Sequence, residues 1–134
     1  MNKKSKLLIL LTLIIFSCDI PGKIEIKNNL NELVIISYSY KNNVEGHLSQ
    51  KNKINSNEKK YIMLGFGTKW NKSFINHFPN KIIDTINLRI GKNEYYCSTK
   101  ECKSKIFNIA NRKSKSTLQI VIDSNLIQEV FLKK

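Results

Sequence analysis

The chain is short of loop punctuation and of the residues that usually carry catalysis. It has two prolines and five glycines in 134 residues, and no Pro/Gly/Ser-rich linker divides it. No internal repeat is visible either, so one small domain with one core is expected. Histidine occurs only at His47 and His77. There is no Gly-x-Ser-x-Gly, His-Glu-x-x-His, P-loop or dinucleotide fingerprint. Hydrolytic work needs a base held near a nucleophile, or two placed carboxylates. Neither pattern is present, and a non-enzyme is the expected reading; the enzymatic alternative is a small hydrolase with His77 as base. Arginine is scarce too: 21 of the 23 basic residues are lysine, leaving Arg89 and Arg112. A reader of phosphate or nucleic acid would be expected to use the planar guanidinium fork more often, so nucleic acid is not an expected partner. No apolar run approaches the roughly 20 residues of a membrane-spanning helix. The longest, residues 7–16, has ten.

That run is informative for what surrounds it. Lys3, Lys4 and Lys6 precede it, and Ser17-Cys18-Asp19 follows it. A basic stretch, a short apolar stretch and a small residue at a cut site form an export signal. Ile15-Phe16-Ser17-Cys18 resembles the lipobox of bacterial lipoproteins, with the bulky Phe16 a departure at its second place. The resemblance implies cleavage before Cys18 and lipidation of its sulfur. Residues 1–17 are then a signal peptide, 18–22 a lipidated cysteine and tether, and 23–134 a single domain. It also implies a diacylglyceryl group, often with a third acyl chain. Each buried CH₂ contributes about 0.8 kcal/mol, and stable anchoring takes more than one chain. The expected location is the bacterial cell envelope, membrane-anchored by lipid and extracytoplasmic.

If Cys18 goes to lipid, Cys97 and Cys102 remain as an even pair in an exported chain. Oxidising compartments favour a disulfide between them. A structural zinc site needs about four ligands, and neither histidine is near the cysteines in sequence. No metal and no cofactor are expected. Loss of three lysines with the signal leaves 20 basic against 10 acidic residues, or +10. Such charge draws a protein toward anionic surfaces. It is also what the Lys-, Asn- and Ile-rich usage of an AT-rich genome produces, and that plainer reading is preferred.

Strand signals recur at about ten-residue intervals. Ile24 and Ile26 alternate with charged residues, and Val34, Ile36, Tyr38 and Tyr40 share a face. Residues 47–54 and 59–64 read as further strands. Residues 82–90 form the clearest strand, although Asp84 falls on its apolar side; a bulge that turns it outward is one explanation. Residues 94–97, 105–110, 117–122 and 127–132 complete the set, and 72–77 read as a helical turn. Seven to nine short strands without a long amphipathic helix predict an all-β, antiparallel β-sandwich. The pattern resembles small β-sandwich lipoproteins of AT-rich bacteria such as Bacteroidota.

The candidate ligand site is the aromatic stretch 65–79. Trp70 and Phe74, with Lys69 and Lys72 beside them, would suit an anionic glycan or lipid headgroup. The competing reading folds these rings back as a plug on the core, and ring size favours it. Lys100, Lys103, Lys105, Arg112, Lys113 and Lys115 form a basic stretch that could hold anionic lipid or surface polysaccharide; the plainer reading, a solvated loop in a Lys-rich chain, is preferred. The expected function is a non-catalytic binding or envelope-accessory module, attached to the membrane by its N-terminal lipid. Its possible partners are an anionic glycan or lipid or an envelope protein; a structural subunit of an envelope complex is the remaining alternative.

Overall fold

The computed structural model describes residues 22–41, 50–63 and 69–134. Cys18 and His47 lie outside the described residues, as do residues 65–68 of the aromatic stretch. The protein is β-rich, and the described residues form two sheets and three helices. In chain order the elements are β1 (Lys23–Asn28), β2 (Val34–Tyr40), β3 (Gln50–Ile54), β4 (Lys59–Met63), α1 (Lys72–Ile82), β5 (Ile83–Ile90), β6 (Asn93–Cys97), α2 (Lys100–Ile109), β7 (Asn111–Arg112), β8 (Thr117–Ile122), α3 (Ser124–Val130) and β9 (Leu132–Lys133).

The first sheet has the order β4-β1-β8-β7, and the second β3-β2-β5-β6-β9. All pairings are antiparallel except β1 with β8, which are parallel from Lys23↔Thr117 to Asn28↔Ile122. The expectation of a purely antiparallel arrangement is corrected there. One hydrophobic cluster takes Ile24, Ile26, Ile62, Leu118, Ile120 and Ile122 from the first sheet. Val34, Ile36, Tyr38, Ile54, Ile86, Leu88 and Ile90 come from the second. Period-two alternation puts these side chains inward and their neighbours outward. Asn28, fully buried at the end of β1, spans the two sheets: its Nδ2 donates to the carbonyls of Glu32, Ile54 and Asn55. The β5–β6 hairpin turns through Gly91 at φ +56°, where a Cβ would lie 3.2 Å from a Glu32 carboxylate oxygen. Glycine suits that left-handed position.

The all-β expectation is corrected by the helices. Residues 105–110 and 127–132, read as strands, lie mainly in α2 and α3. The helical turn at 72–77 extends to an eleven-residue helix, α1. Each helix opens on a side-chain cap. Asn71 accepts from the Phe74 N–H, Thr99 from Cys102 and Asp123 from Leu126. Caps of this kind satisfy N–H groups that have no partner within the helix. The inward face of α2 carries Lys103, Ile106 and Phe107, the i, i+3, i+4 spacing of an amphipathic helix.

Asp84 is exposed. Tyr38 pairs with Ile86 and Tyr40 with Ile83, so β5 holds one residue more than β2 over this interval. The bulge reverses the side-chain phase. Ile83 points inward and Asp84 outward.

Candidate functional site

The aromatic stretch closes the core. Trp70 has no exposed surface. Its ring centroid lies 5.3 Å from Phe74, 5.5 Å from Phe78 and 6.2 Å from Phe107. Phe74 and Phe78 stack at 5.3 Å, the i, i+4 pair of α1. The indole N–H donates to the Lys23 carbonyl at 3.1 Å, and the Trp70 backbone N–H to Lys115 at 2.9 Å. A fully enclosed ring cannot stack on a sugar. Trp70 is therefore corrected from a ligand platform to a core residue, and the partly buried Phe74 packs with it. Lys69 and Lys72 remain exposed.

His77 is exposed on α1, with Nδ1 2.8 Å from the Ser73 carbonyl oxygen. Among the described residues that backbone oxygen is its hydrogen-bond partner, and no hydroxyl or carboxylate is bonded to it. Cys97 and Cys102 lie at disulfide distance, with Cα atoms 5.7 Å apart, inside the range a bridge requires. The pair ties the end of β6 to the first turn of α2. Among the described residues no helix is long and apolar enough to cross a membrane.

Lys103 is not on a solvated face. It is buried on the inner side of α2, and its ammonium donates to the carbonyls of Ile83 and Asp84, both at 2.9 Å. Those carbonyls sit at the bulge of β5, where regular pairing is interrupted and a backbone acceptor needs another donor. Desolvation, with the nearby Lys41 charge, lowers the Lys103 pKa against the opposing pull of Asp84. Lys41 itself donates to the Asn80 carbonyl near the end of α1, a position where a cation is favoured. Both lysines hold the α1–β5 junction.

Several concavities open among the described residues, and two bear on ligand binding. An apolar cavity lies between the sheets, with Tyr38 and Tyr40 in edge-to-face contact on its wall. Its volume is about 30 Å³, which is room for little more than one water-sized group. It cannot accept a glycan or an acyl chain as it stands. The second is a groove of about 280 Å³ on the outer face of the second sheet. Two cross-strand rows build it, with Lys53 in register beside the lining and not part of it. Lys51, Ser37 and Asn87 stand opposite one another on β3, β2 and β5, and Lys53, Ile35 and Arg89 occupy the next row, with Glu94 beyond on β6. Lys51, Lys53 and Arg89 are exposed. None of the three joins an ion pair among the described residues, while Glu94 lies 4.0 Å from Lys134. Ser37 and Asn87 add a hydroxyl and an amide between the cations. Alternation within each strand puts Ser37 and Arg89 opposite the apolar faces of β2 and β5, but only the pairing register shows which cations become neighbours.

The outer face of the first sheet is organised differently. Glu25 is buried there, accepts from the Gln119 amide and lies 3.6 Å from the Lys59 ammonium. Burial alone would raise its pKa. Gln119, the Tyr61 hydroxyl and Lys59 outweigh that and hold it below the usual carboxylate value. This carboxylate is already saturated by partners. No protein-family model, curated protein or solved structure matches the chain.

Proposed function

We propose that the chain is a lipid-anchored, extracytoplasmic binding protein of a bacterial cell envelope, without catalytic activity. In this reading residues 1–17 are removed, Cys18 carries the lipid, and residues 23–134 form one two-layer β-sandwich. The sandwich is supported by the single hydrophobic cluster to which both sheets contribute. The ligand is an anionic glycan lying along the outer face of the five-stranded sheet. The observation that carries this is the set of Lys51, Lys53 and Arg89. They are unpaired among the described residues and adjacent in register around a groove that also offers neutral donors. Unpaired cations on a flat strand face attract an extended polyanion, and salt weakens that attraction.

Electrophoresis through gels carrying polygalacturonate or neutral dextran tests the ligand. The protein should be retarded only by the polyanion, and less at high salt. The variant Lys51→Ala, Lys53→Ala, Arg89→Ala should run freely. Equal retardation of variant and wild type would remove the groove as the site. Fatty-acid labelling of wild type and Cys18→Ala tests the anchor separately, and equal incorporation would end that part of the reading.

A further inference from the structure

Among the described residues, several lysines gather at the end of the molecule where β1 begins. The backbone of Lys23 bonds to Ser116 at 2.8 Å, and that of Trp70 to Lys115 at 2.9 Å. The N–H groups of Lys113 and Ser114 both reach the Thr117 carbonyl, closing a tight loop before β8. These bonds gather Lys69, Lys113 and Lys115 around the start of β1. All three are exposed, and none joins an ion pair among the described residues. Lys23, its ammonium 5.0 Å from the Tyr61 ring centre, stands on the same end. Along β1 the first carboxylate is Glu25, two positions in, and it is already engaged by Gln119 and Lys59. The opposite end is mixed in charge: Glu58 bonds through its backbone to Asn28, Glu32 lies beside Gly91, and Asp123 follows Ile122. Lysine is therefore concentrated near the start of β1, with Asp84 the exposed carboxylate at the start of β5 on the same level, and net charge alone does not describe this clustering.

We infer that this lysine end is a docking surface for an anionic lipid bilayer. The inference rests on the lipid-anchor reading, which places this end beside the membrane. Residues 18–22 reach at most about 18 Å whatever their conformation, so the start of β1 cannot stand far from an acyl group on Cys18. Surface attraction acts over a Debye length of about 8 Å at physiological salt, within that reach. One acyl chain with a basic patch anchors better than either alone. Docking by this end would hold the strand axis steep to the bilayer and present the outer face of the five-stranded sheet sideways, open to a glycan.

The test uses the full chain carrying Cys18→Ser, so that no lipid contributes. Co-sedimentation is measured with vesicles of phosphatidylcholine alone and of phosphatidylcholine mixed equally with phosphatidylglycerol. Residues 1–21, with Lys3, Lys4 and Lys6, are common to every variant, so their contribution cancels when variants are compared on the same vesicles. The parent should prefer the anionic vesicles. Lys69→Gln, Lys113→Gln, Lys115→Gln together should lower binding to them on the order of a hundredfold and leave neutral-vesicle binding unchanged. The control Lys51→Gln, Lys53→Gln, Arg89→Gln should keep the preference. Equal losses in the two triple variants would show attraction by net charge alone and overturn the inference, as would the absence of any anionic preference. Fatty-acid labelling at Cys18 is scored independently. If labelling fails while the lysine-dependent preference persists, the anchor reading falls and the docking surface stands.

Discussion

Asn28 offers the sharpest test of how the two sheets are joined. Its side chain is fully buried. Nδ2 lies 2.8, 3.0 and 3.1 Å from the carbonyls of Glu32, Ile54 and Asn55, and Oδ1 accepts the Leu30 N–H at 2.9 Å. An amide has two N–H groups, so one of them is shared. Asn28→Ala leaves at least the buried Ile54 carbonyl and the Leu30 N–H without their partners. Each such group costs about 1–3 kcal/mol, giving roughly 2–6 kcal/mol in all, a large share of the 5–15 kcal/mol typical of a domain. Asn28→Asp is nearly isosteric and keeps the Leu30 bond, yet it turns an oxygen toward three carbonyl oxygens. It should cost more than alanine at neutral pH and recover partly in acid, where a protonated carboxyl can donate once. Urea unfolding followed by emission of Trp70, the one tryptophan and a buried one, reads both variants. With a slope of about 1–3 kcal/mol per molar urea, the alanine midpoint should fall by about 1–3 M. An aspartate variant as stable as wild type, or an alanine loss below about 1 kcal/mol, would refute the reasoning.

Two further perturbations follow from the same structure. Replacing both Cys97 and Cys102 by serine opens a loop whose ends are five positions apart. The chain-entropy relation gives a loss of about 2 kcal/mol, and a non-reducing thermal melt compared with one in dithiothreitol should show it for wild type only. Glu25 sets part of the acid response. Its folded pKa lies below the ordinary 4.5, so its stabilisation is complete above that value and is lost as pH falls through the folded pKa. Glu25→Gln should flatten the stability–pH curve below about pH 4.5, and an unchanged acid limb in urea titrations would contradict the assignment.

The strands were legible where one face is buried and the other wet. Ile24 and Ile26, the alternating residues of β2 and those of β8 declare themselves by period two. The helices were not, because their start signals are also turn signals. Thr99 and Asp123 serve as caps, yet in sequence they stand in polar stretches that read as turns. In α3 the buried positions are Leu126 and Val130, too few in seven residues to separate a helical from an extended period. Lys103 misled for a different reason. A lysine is ordinarily solvated, and only the bulge in β5, which leaves the Ile83 and Asp84 carbonyls seeking a donor, explains its burial. The outer groove was half visible. Lys51 and Arg89 are 38 positions apart in the chain (89 − 51), and no local pattern reports that they meet.

The parallel pairing of β1 with β8 also constrains how the chain can come to its native state. Lys23 lies opposite Thr117, a separation of 94 positions (117 − 23). Contacts so far apart in sequence are formed late and slowly, since the loop between them must be closed first. During synthesis β1 waits for its central neighbour until nearly the whole chain is available, and a nascent chain that ends before Ile122 cannot complete the first sheet. On the export reading proposed above, that delay has a use. A domain whose first sheet cannot be completed until its eighth strand has arrived stays open long enough to be threaded through a narrow pore.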